Sequence, residues 1–364
     1  MKNEIFIIHG TDYQNMAERI LTEAKVAEDI GDKNKTVGIK PNYLAAIDPS
    51  QGATTHPELV EGVLKYLSEN GFAKVLVMEG AWVGARTADA VRMFGLDKMC
   101  SRYGAKFVDM QDDASVTCDC AGMEIKICQT ALNVDYMINM PVLKGHCQTT
   151  VTCALKNNKG IIPNSEKRRF HTMGLHQPIA HLNTKVRNDF ILVDNICGDL
   201  DFEEGGTPVQ MDRVLGFFDP VLCDSFVCET MGYKAQDVQY IRLAEKLGVG
   251  STDLEKAVIR ELNSAPDAGK GKAVRPLRKT AYLAAHVNAD NACSACYGML
   301  IHALSRMDEN GTLKKNHPPI CIGQGFKGKT GEIGIGACTK GFTHHLEGCP
   351  PQGAKILEFL KQTL

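Results

Sequence analysis

Through the first 270 residues, short apolar runs alternate with segments whose apolar residues recur every three or four positions. The clearest case is "KTVGIKPN", "HPELVEGVLKYLSENG" and "AKVLVMEG". In the middle segment Leu59, Val60, Val63, Leu64 and Leu67 share one helical face and Gly71 follows as a stop, so the three predict strand, helix, strand. "MKNEIFIIHGTDY", "AKFVDM", "MEIKIC", "VDYMINMPVL", "DFILVDNI" and "RVLGFFDP" predict further strands, with helices near 15–29, 86–103, 149–156, 178–186, 220–231 and 235–246. This alternation predicts an α/β fold with a mainly parallel sheet and flanking helices. "LNSAPDAGKGKAVRPLRKT" is rich in Gly, Pro and Lys and reads as a linker. It divides an α/β domain, 1–270, from a small C-terminal Cys-rich module, 280–364.

Charge and cysteine content sharpen this picture. A net charge of -2 gives no basic field for nucleic acid. The first residues run directly into a strand pattern without a secretory h-region, and no apolar run reaches membrane-spanning length. The expectation is a cytoplasmic chain that binds neither nucleic acid nor membrane. In that compartment thiols stay reduced, so 14 cysteines do not imply a disulfide framework. Cys100, Cys128, Cys197, Cys223 and Cys228 sit among apolar residues and read as small buried hydrophobes. Cys118 and Cys120 alternate with polar residues, as in an exposed strand or turn.

The C-terminal cysteines are different. "NACSACYGML" places Cys293 and Cys296 two residues apart, and "GACTKGFTHHLEGCPP" adds Cys338 and Cys349. A redox CxxC follows a strand of a thioredoxin-like unit, a context missing here, and ribbon-type zinc sites show a second CxxC. Buried structural thiols are a further reading. A [4Fe-4S] cluster needs four thiolates and accepts split spacings, which makes it the favoured cofactor. The Gly-rich "ICIGQGFKGKTGEIGIGACT" would let backbone amides approach sulfide. Cys293, Cys296, Cys338 and Cys349 are taken as the metal ligands, with Cys321 the rival for the fourth place and His344 and His345 as nearby donors.

In the α/β part, polar residues gather where predicted strands end, the usual ligand edge of a parallel sheet. Lys40 and Asn42 follow one strand, and Thr54, Thr55 and His56 precede a helix opened by Pro57, where Thr55 or His56 would cap. In "MPVLKGHCQTTVTCALKNNKG", Lys144 and His146 follow a strand and Lys156, Asn157 and Lys159 close the expected helix. Such a set suits a carboxylate or phosphate. Substrate binding is assigned to Lys40, Asn42, Thr55, Lys144, Thr149, Lys156 and Asn157, and catalysis to Lys144, His146 and His171. Imidazoles titrate near neutrality, which suits them to proton transfer. His176 and His181 are five apart, not the i, i+4 pair of a helical metal site. The acidic, Gly-rich "DLDFEEGG" after Asp194 could hold a base or a cation, but reads best as a solvated turn.

"IKPN", "THPELVEGVLKYL", "MPVLKGHCQTTVTCALKNNKGIIP" and "DPVLCDSFVCETMG" resemble the prokaryotic family called domain of unknown function 362, over roughly residues 35–235. Members commonly carry an iron–sulfur module, which the resemblance implies here. Some relatives are similar in layout to lactate racemases, whose metal-ligating histidine and cofactor-linking lysine have no assigned position in this chain. The leading functional expectation is an iron–sulfur oxidoreductase acting on a small anionic substrate. The alternatives are a non-redox lyase or isomerase with a metal as Lewis acid, and an electron-transfer protein without its own chemistry. Candidate partners are the substrate, a ferredoxin-like electron donor and a second copy of the chain. The glycines of "GQGFKGKT" fall at G-x-G-x-x-G and P-loop spacing but do not read as lying between a strand and a helix, so neither NAD nor ATP is expected.

Overall fold

The computed structural model describes residues 3–200, 203, 208–264 and 279–364. The chain divides into two compact units, one comprising Met1–Lys167 and His176–Arg275, the other Arg168–Leu175 and Pro276–Leu364. Most of the expected linker lies outside the described residues.

The strands of the first unit are β1 (Glu4–His9), β2 (Val37–Pro41), β3 (Val75–Glu79), β4 (Lys106–Asp109), β5 (Ser115–Cys120), β6 (Met123–Cys128), β7 (Tyr136–Met140), β8 (Lys144–His146), β9 (Thr150–Thr152), β10 (Phe190–Asp199), β11 (Pro208–Phe217) and β12 (Val258–Glu261). Eight of them form one sheet in the order β12-β1-β11-β10-β7-β2-β3-β4. It is parallel at every contact except the two made by β11. β2, β7 and β10 are buried along their whole length, which is why they read as continuous apolar runs. β5 instead alternates and pairs with β6 as a hairpin outside the sheet. The core lies where Ile39, Val77, Ile138 and Leu192 of the sheet meet Ile20 and Leu21 of helix Tyr13–Glu23 and Leu59, Val63 and Leu67 of helix Pro57–Glu69. No helix among the described residues is long and apolar enough to cross a membrane.

Three helical expectations change in detail. The helix expected at 15–29 breaks at Lys25, which is left-handed at φ 54°, and that at 86–103 breaks at Gly95, φ 63°. The helix expected at 149–156 is only half there. Thr149, Thr150, Val151 and Thr152 are all β-branched and favour extended backbone, so β9 forms and pairs with β8, leaving a helix of Ala154–Asn157 alone. Helix Asn164–Met173, unforeseen in the sequence pattern, gives its first residues to one unit and its last to the other.

The second unit holds a parallel sheet of four short strands, β13 (Val287–Ala289), β14 (Ile320–Ile322), β15 (Ile333–Ile335) and β16 (His344–Leu346), in that order. Ile320, Ile322, Ile333 and Ile335 bury its apolar side, with Phe326 and Phe342 edge-to-face at 5.7 Å. Helices Ser294–Glu309 and Gly353–Thr363 complete it.

Candidate functional site

At the C-terminal edge of the large sheet, β2, β3 and β7 replace apolar residues by polar ones. Register sets Lys40 of β2 beside Asn139 of β7, and Glu79 closes β3. Lys40 is fully buried, and its ammonium donates to Glu79 Oε2 at 2.9 Å and to the Pro41 carbonyl at 2.7 Å. The same carboxylate accepts the backbone N–H groups of Tyr43 at 2.8 Å and Gly80 at 2.7 Å. Asn157 ties the strands together. Its Nδ2 donates to Asn139 Oδ1 at 2.7 Å, and its Oδ1 accepts from Asn42 Nδ2 at 2.7 Å. Lys144, also fully buried, donates to Asn42 Oδ1 at 2.8 Å and the Ala53 carbonyl at 2.6 Å. Two lysines buried in this way are tolerable only because both ammonium groups are bonded. Burial lowers the pKa of Lys40, and Glu79 opposes that shift. The chain passes over the ion pair at Gly160, where a Cβ would lie 2.1 Å from Glu79 Oε1 and 2.5 Å from Lys40 Nζ.

Beside this network stand His146 and Lys156. Lys156 Nζ pairs with Oε1 of Glu203, and His146 Nε2 lies 3.0 Å from Oε2 of the same carboxylate. His146 Nδ1 accepts the backbone N–H groups of Gln148 and Thr149, both at 3.0 Å. Those two bonds assign the ring proton to Nε2 and make His146 a donor to Glu203. Burial, and then Lys156, bring His146 down to about 4, so it stays neutral near pH 7. Burial resists ionisation of Glu203, but Lys156, His146 and Lys144 together hold its carboxyl well below the usual range. Burial and Lys156 lower Lys159 to about 7, and burial lowers Lys167 to about 8. Glu79 pairs with Lys40 and opposes the lowering of Lys167, while Glu203 pairs with Lys156 and opposes the lowering of Lys159.

The remaining expected residues fall variously. Thr55 Oγ1 donates to the Met140 carbonyl and accepts from the Asn42 N–H, at 2.9 and 2.8 Å, so it joins β2 to β7 and does not cap. His56 occupies the cap position without a side-chain cap bond, because its Nδ1 is drawn to Asp194 Oδ2 at 2.8 Å. Thr149 donates its hydroxyl to the Val151 carbonyl and its N–H to His146. His171 belongs to the second unit and the lysines to the first. Asp224, not singled out in the sequence, accepts from the Ala154 N–H at 2.7 Å and from Tyr240 Oη at 3.0 Å, which fixes the short helix carrying Lys156 and Asn157. Burial raises its carboxyl to about 7. A groove of about 560 Å³, lined by Glu18, Gly31, Lys33, Tyr66 and Asn70, opens where β2 and β3 begin rather than at this edge.

In the second unit every strand leads into the same kind of chemistry at its C-terminal end. Cys293 follows β13 by four residues, Gln324 follows β14 by two, and Cys338 and Cys349 follow β15 and β16 by three each. Cys296 adds a thiol from the first turn of helix Ser294–Glu309, so the CxxC pair does follow a strand and open a helix, against the sequence expectation. Backbone bonds from Gly336 to Leu346 at 2.8 Å and from Ala337 to Gly348 at 2.9 Å hold the Cys338 and Cys349 loops together. The Cys293 and Gln324 loops are joined by bonds from Gln324 to Asn291 and from Gly325 to Asp290. Gly323 makes that approach at φ 124°, where a Cβ would lie 2.1 Å from the Asp290 carbonyl oxygen. Gln324 Nε2 donates to Cys293 Sγ at 3.5 Å. Burial raises Cys296 to about 12, with Cys293, Cys349 and Cys338 adding to the shift. Cys293 is raised by burial against the Gln324 bond, with Cys338 and Cys349 again contributing. Cys321 lies within β14, where burial raises it and Asn288, not another thiol, is its neighbour.

Cys338 and Cys349 thus both bear on Cys293 and Cys296. Among the described residues, the Cys, His, Asp or Glu group whose three ligand atoms lie within 4.8 Å of one another is Cys153, Cys223 and Asp224, and no three of the four module thiols draw that close. A tetrahedral zinc with bonds of about 2.3 Å would hold its sulfurs about 3.8 Å apart. At Cys153 and Cys223 the sulfurs are 3.8 Å apart, but the adjoining carboxylate is already taken by Ala154 and Tyr240.

Residues 37–229 match the profile of a family described as Domain of unknown function (DUF362). Over 228 residues the chain is 22% identical to the thylakoid-associated protein sll1697 of Synechocystis sp., covering 60% of this chain and 69% of that one. Among solved structures, the lactate racemase apoprotein from Thermoanaerobacterium thermosaccharolyticum is similar at 14% identity and a TM-score of 0.39. That match covers 66% of this chain and 56% of the racemase.

Proposed function

We propose that this chain, which belongs to the domain of unknown function 362 family, binds a [4Fe-4S] cluster through Cys293, Cys296, Cys338 and Cys349 and a small anion at the lysine-rich edge of its large sheet. The observation that carries the reading is the placement of those four thiols just past β13, β15 and β16 and on the adjoining helix turn, whereas Cys321 lies within β14. The Gln324 amide on Cys293 is the kind of donor that tunes such a centre. Metal binding would draw the protons from thiols whose burial otherwise keeps them protonated.

The cluster supplies one-electron chemistry, and the protein acts as an oxidoreductase on a small carboxylate or phosphate. Lys144 and Lys156 attract the anion. His146 offers it a hydrogen bond through Nε2, held in that orientation by Gln148 and Thr149. Redox function is tested by anaerobic reduction with dithionite followed by reoxidation. The visible absorbance should bleach and return. A cluster that cannot be cycled would contradict the redox reading and favour a Lewis-acid or structural role.

A further inference from the structure

We propose that His146 and Lys156 form a receptor for a carboxylate, and that Glu203 occupies it as an internal stand-in for a small monocarboxylate ligand. This rests on the anion-binding reading above and narrows it to one chemical class.

The receiving groups come from fixed elements. His146 lies in β8 with its ring held by two backbone N–H groups, and Lys156 sits on a helix anchored by Asp224. Both side chains are 2% exposed. Glu203 comes from neither helix nor strand and is 33% exposed. The arrangement is therefore a buried, preorganised pair of donors with its anion supplied by a turn residue more exposed than either of them.

The geometry selects a carboxylate. Each carboxylate oxygen meets its own donor, Oε1 the Lys156 ammonium and Oε2 the His146 N–H. A phosphate near neutral pH carries up to two charges and three strong acceptor oxygens. The Ala154 and Leu155 N–H groups of the adjoining helix are already given to Asp224, so neither is available to a third oxygen. An external carboxylate must compete with Glu203, so the apparent affinity of the wild-type chain falls in proportion to the fraction of receptor left open.

The test uses the intact, metal-loaded chain and calorimetric titration with acetate and with inorganic phosphate. Glu203→Ala should bind acetate about ten- to a hundredfold more tightly than wild type, the value of a charge-assisted bond expressed as affinity. Glu203→Gln, which keeps the size and removes the charge, should shift in the same direction by less, so a packing loss in the alanine variant does not decide the outcome. Adding Lys156→Met to Glu203→Ala should remove the gain. Unchanged acetate affinity in both Glu203 variants overturns the proposal, as does a larger gain for phosphate than for acetate. If Lys144→Met or Lys156→Met weakens anion binding while the Glu203 variants change nothing, the anion site stands and only the stand-in falls. If neither anion binds any variant and the lysine substitutions are silent, both readings fall together.

Discussion

The two sheets, one mainly and one wholly parallel, end in different chemistry at the same topological place. At the edge of the large sheet, lysines and asparagines are already bonded to one another. Lys40 holds Glu79, Asn157 bridges β2 and β7, and Lys144 is fixed by Asn42. At the edge of the small sheet the strand ends deliver thiols, brought together by loop backbone rather than by each other. Strand C-termini converge in any parallel sheet, so the position comes from topology and the chemistry from the few residues that follow each strand. An edge stabilised by its own hydrogen bonds is preorganised for a ligand that comes and goes. An edge built of thiols is suited to a resident metal group that becomes part of the fold.

The sharpest way to break this contrast is to remove one thiol. Cys349→Ser should cost most or all of the bound iron and the broad visible absorbance, whereas Cys321→Ser should leave both near wild type. The reverse result would make Cys321 the ligand and destroy the strand-end rule in the small sheet. Next in size is the ion pair of the large sheet. Lys40→Met leaves Glu79 buried and charged, so the first unit should lose about 3–5 kcal/mol of stability. The chain's single tryptophan, Trp82, lies in that unit and reports its unfolding by fluorescence in urea. Iron content should not change, and an effect below about 1 kcal/mol would mean that the pair is not the keystone of the edge.

Smaller effects separate ligand binding from structure. Lys144→Met and Lys156→Met should weaken anion binding about ten- to a hundredfold, read by titration, with iron unchanged and Lys355→Met as the silent control. Equal effects from all three would reduce the lysines to a general charge effect. The smallest expected signal is a pH dependence from His56. Burial lowers its pKa, but Asp194 outweighs burial and the net shift is upward from 6.5. Its contribution to stability is therefore fully present below about pH 6.5 and lost as pH rises through the higher folded value. His56→Gln should flatten that loss in urea titrations across the window. An unchanged slope would remove the His56–Asp194 contact from the balance.

Much of the large sheet was legible because buried parallel strands are continuous apolar runs, and Lys40, Asn42 and Lys144 fall where those runs stop. Their meeting with Asn157 could be anticipated, although what the meeting does could not. The partners that neutralise it were hidden. Glu79 ends a strand far away in the chain, and only the parallel pairing of β2 with β3 brings it to Lys40. Glu203 sits in an acidic, Gly-rich run that resembles a solvated turn, and no local pattern marks one carboxylate of such a run as the partner of His146. The β8–β9 hairpin was misread because its β-branched run adjoins a helical segment and the pairing that favours strand lies outside any local window. In the small module the spacing of the cysteines singles them out as candidates. Strands of three residues are too short to declare themselves by periodicity, so the rule that each leads to a sulfur or to its donor needed the structure.

The central claim is that the thiol edge holds an iron–sulfur cluster. Its most direct test is the iron, zinc and acid-labile sulfide content of protein purified without oxygen, with an electron paramagnetic resonance spectrum of the reduced sample. About four irons and four sulfides per chain, with a cluster signal on reduction, is the predicted result. Stoichiometric zinc with no acid-labile sulfide would contradict it.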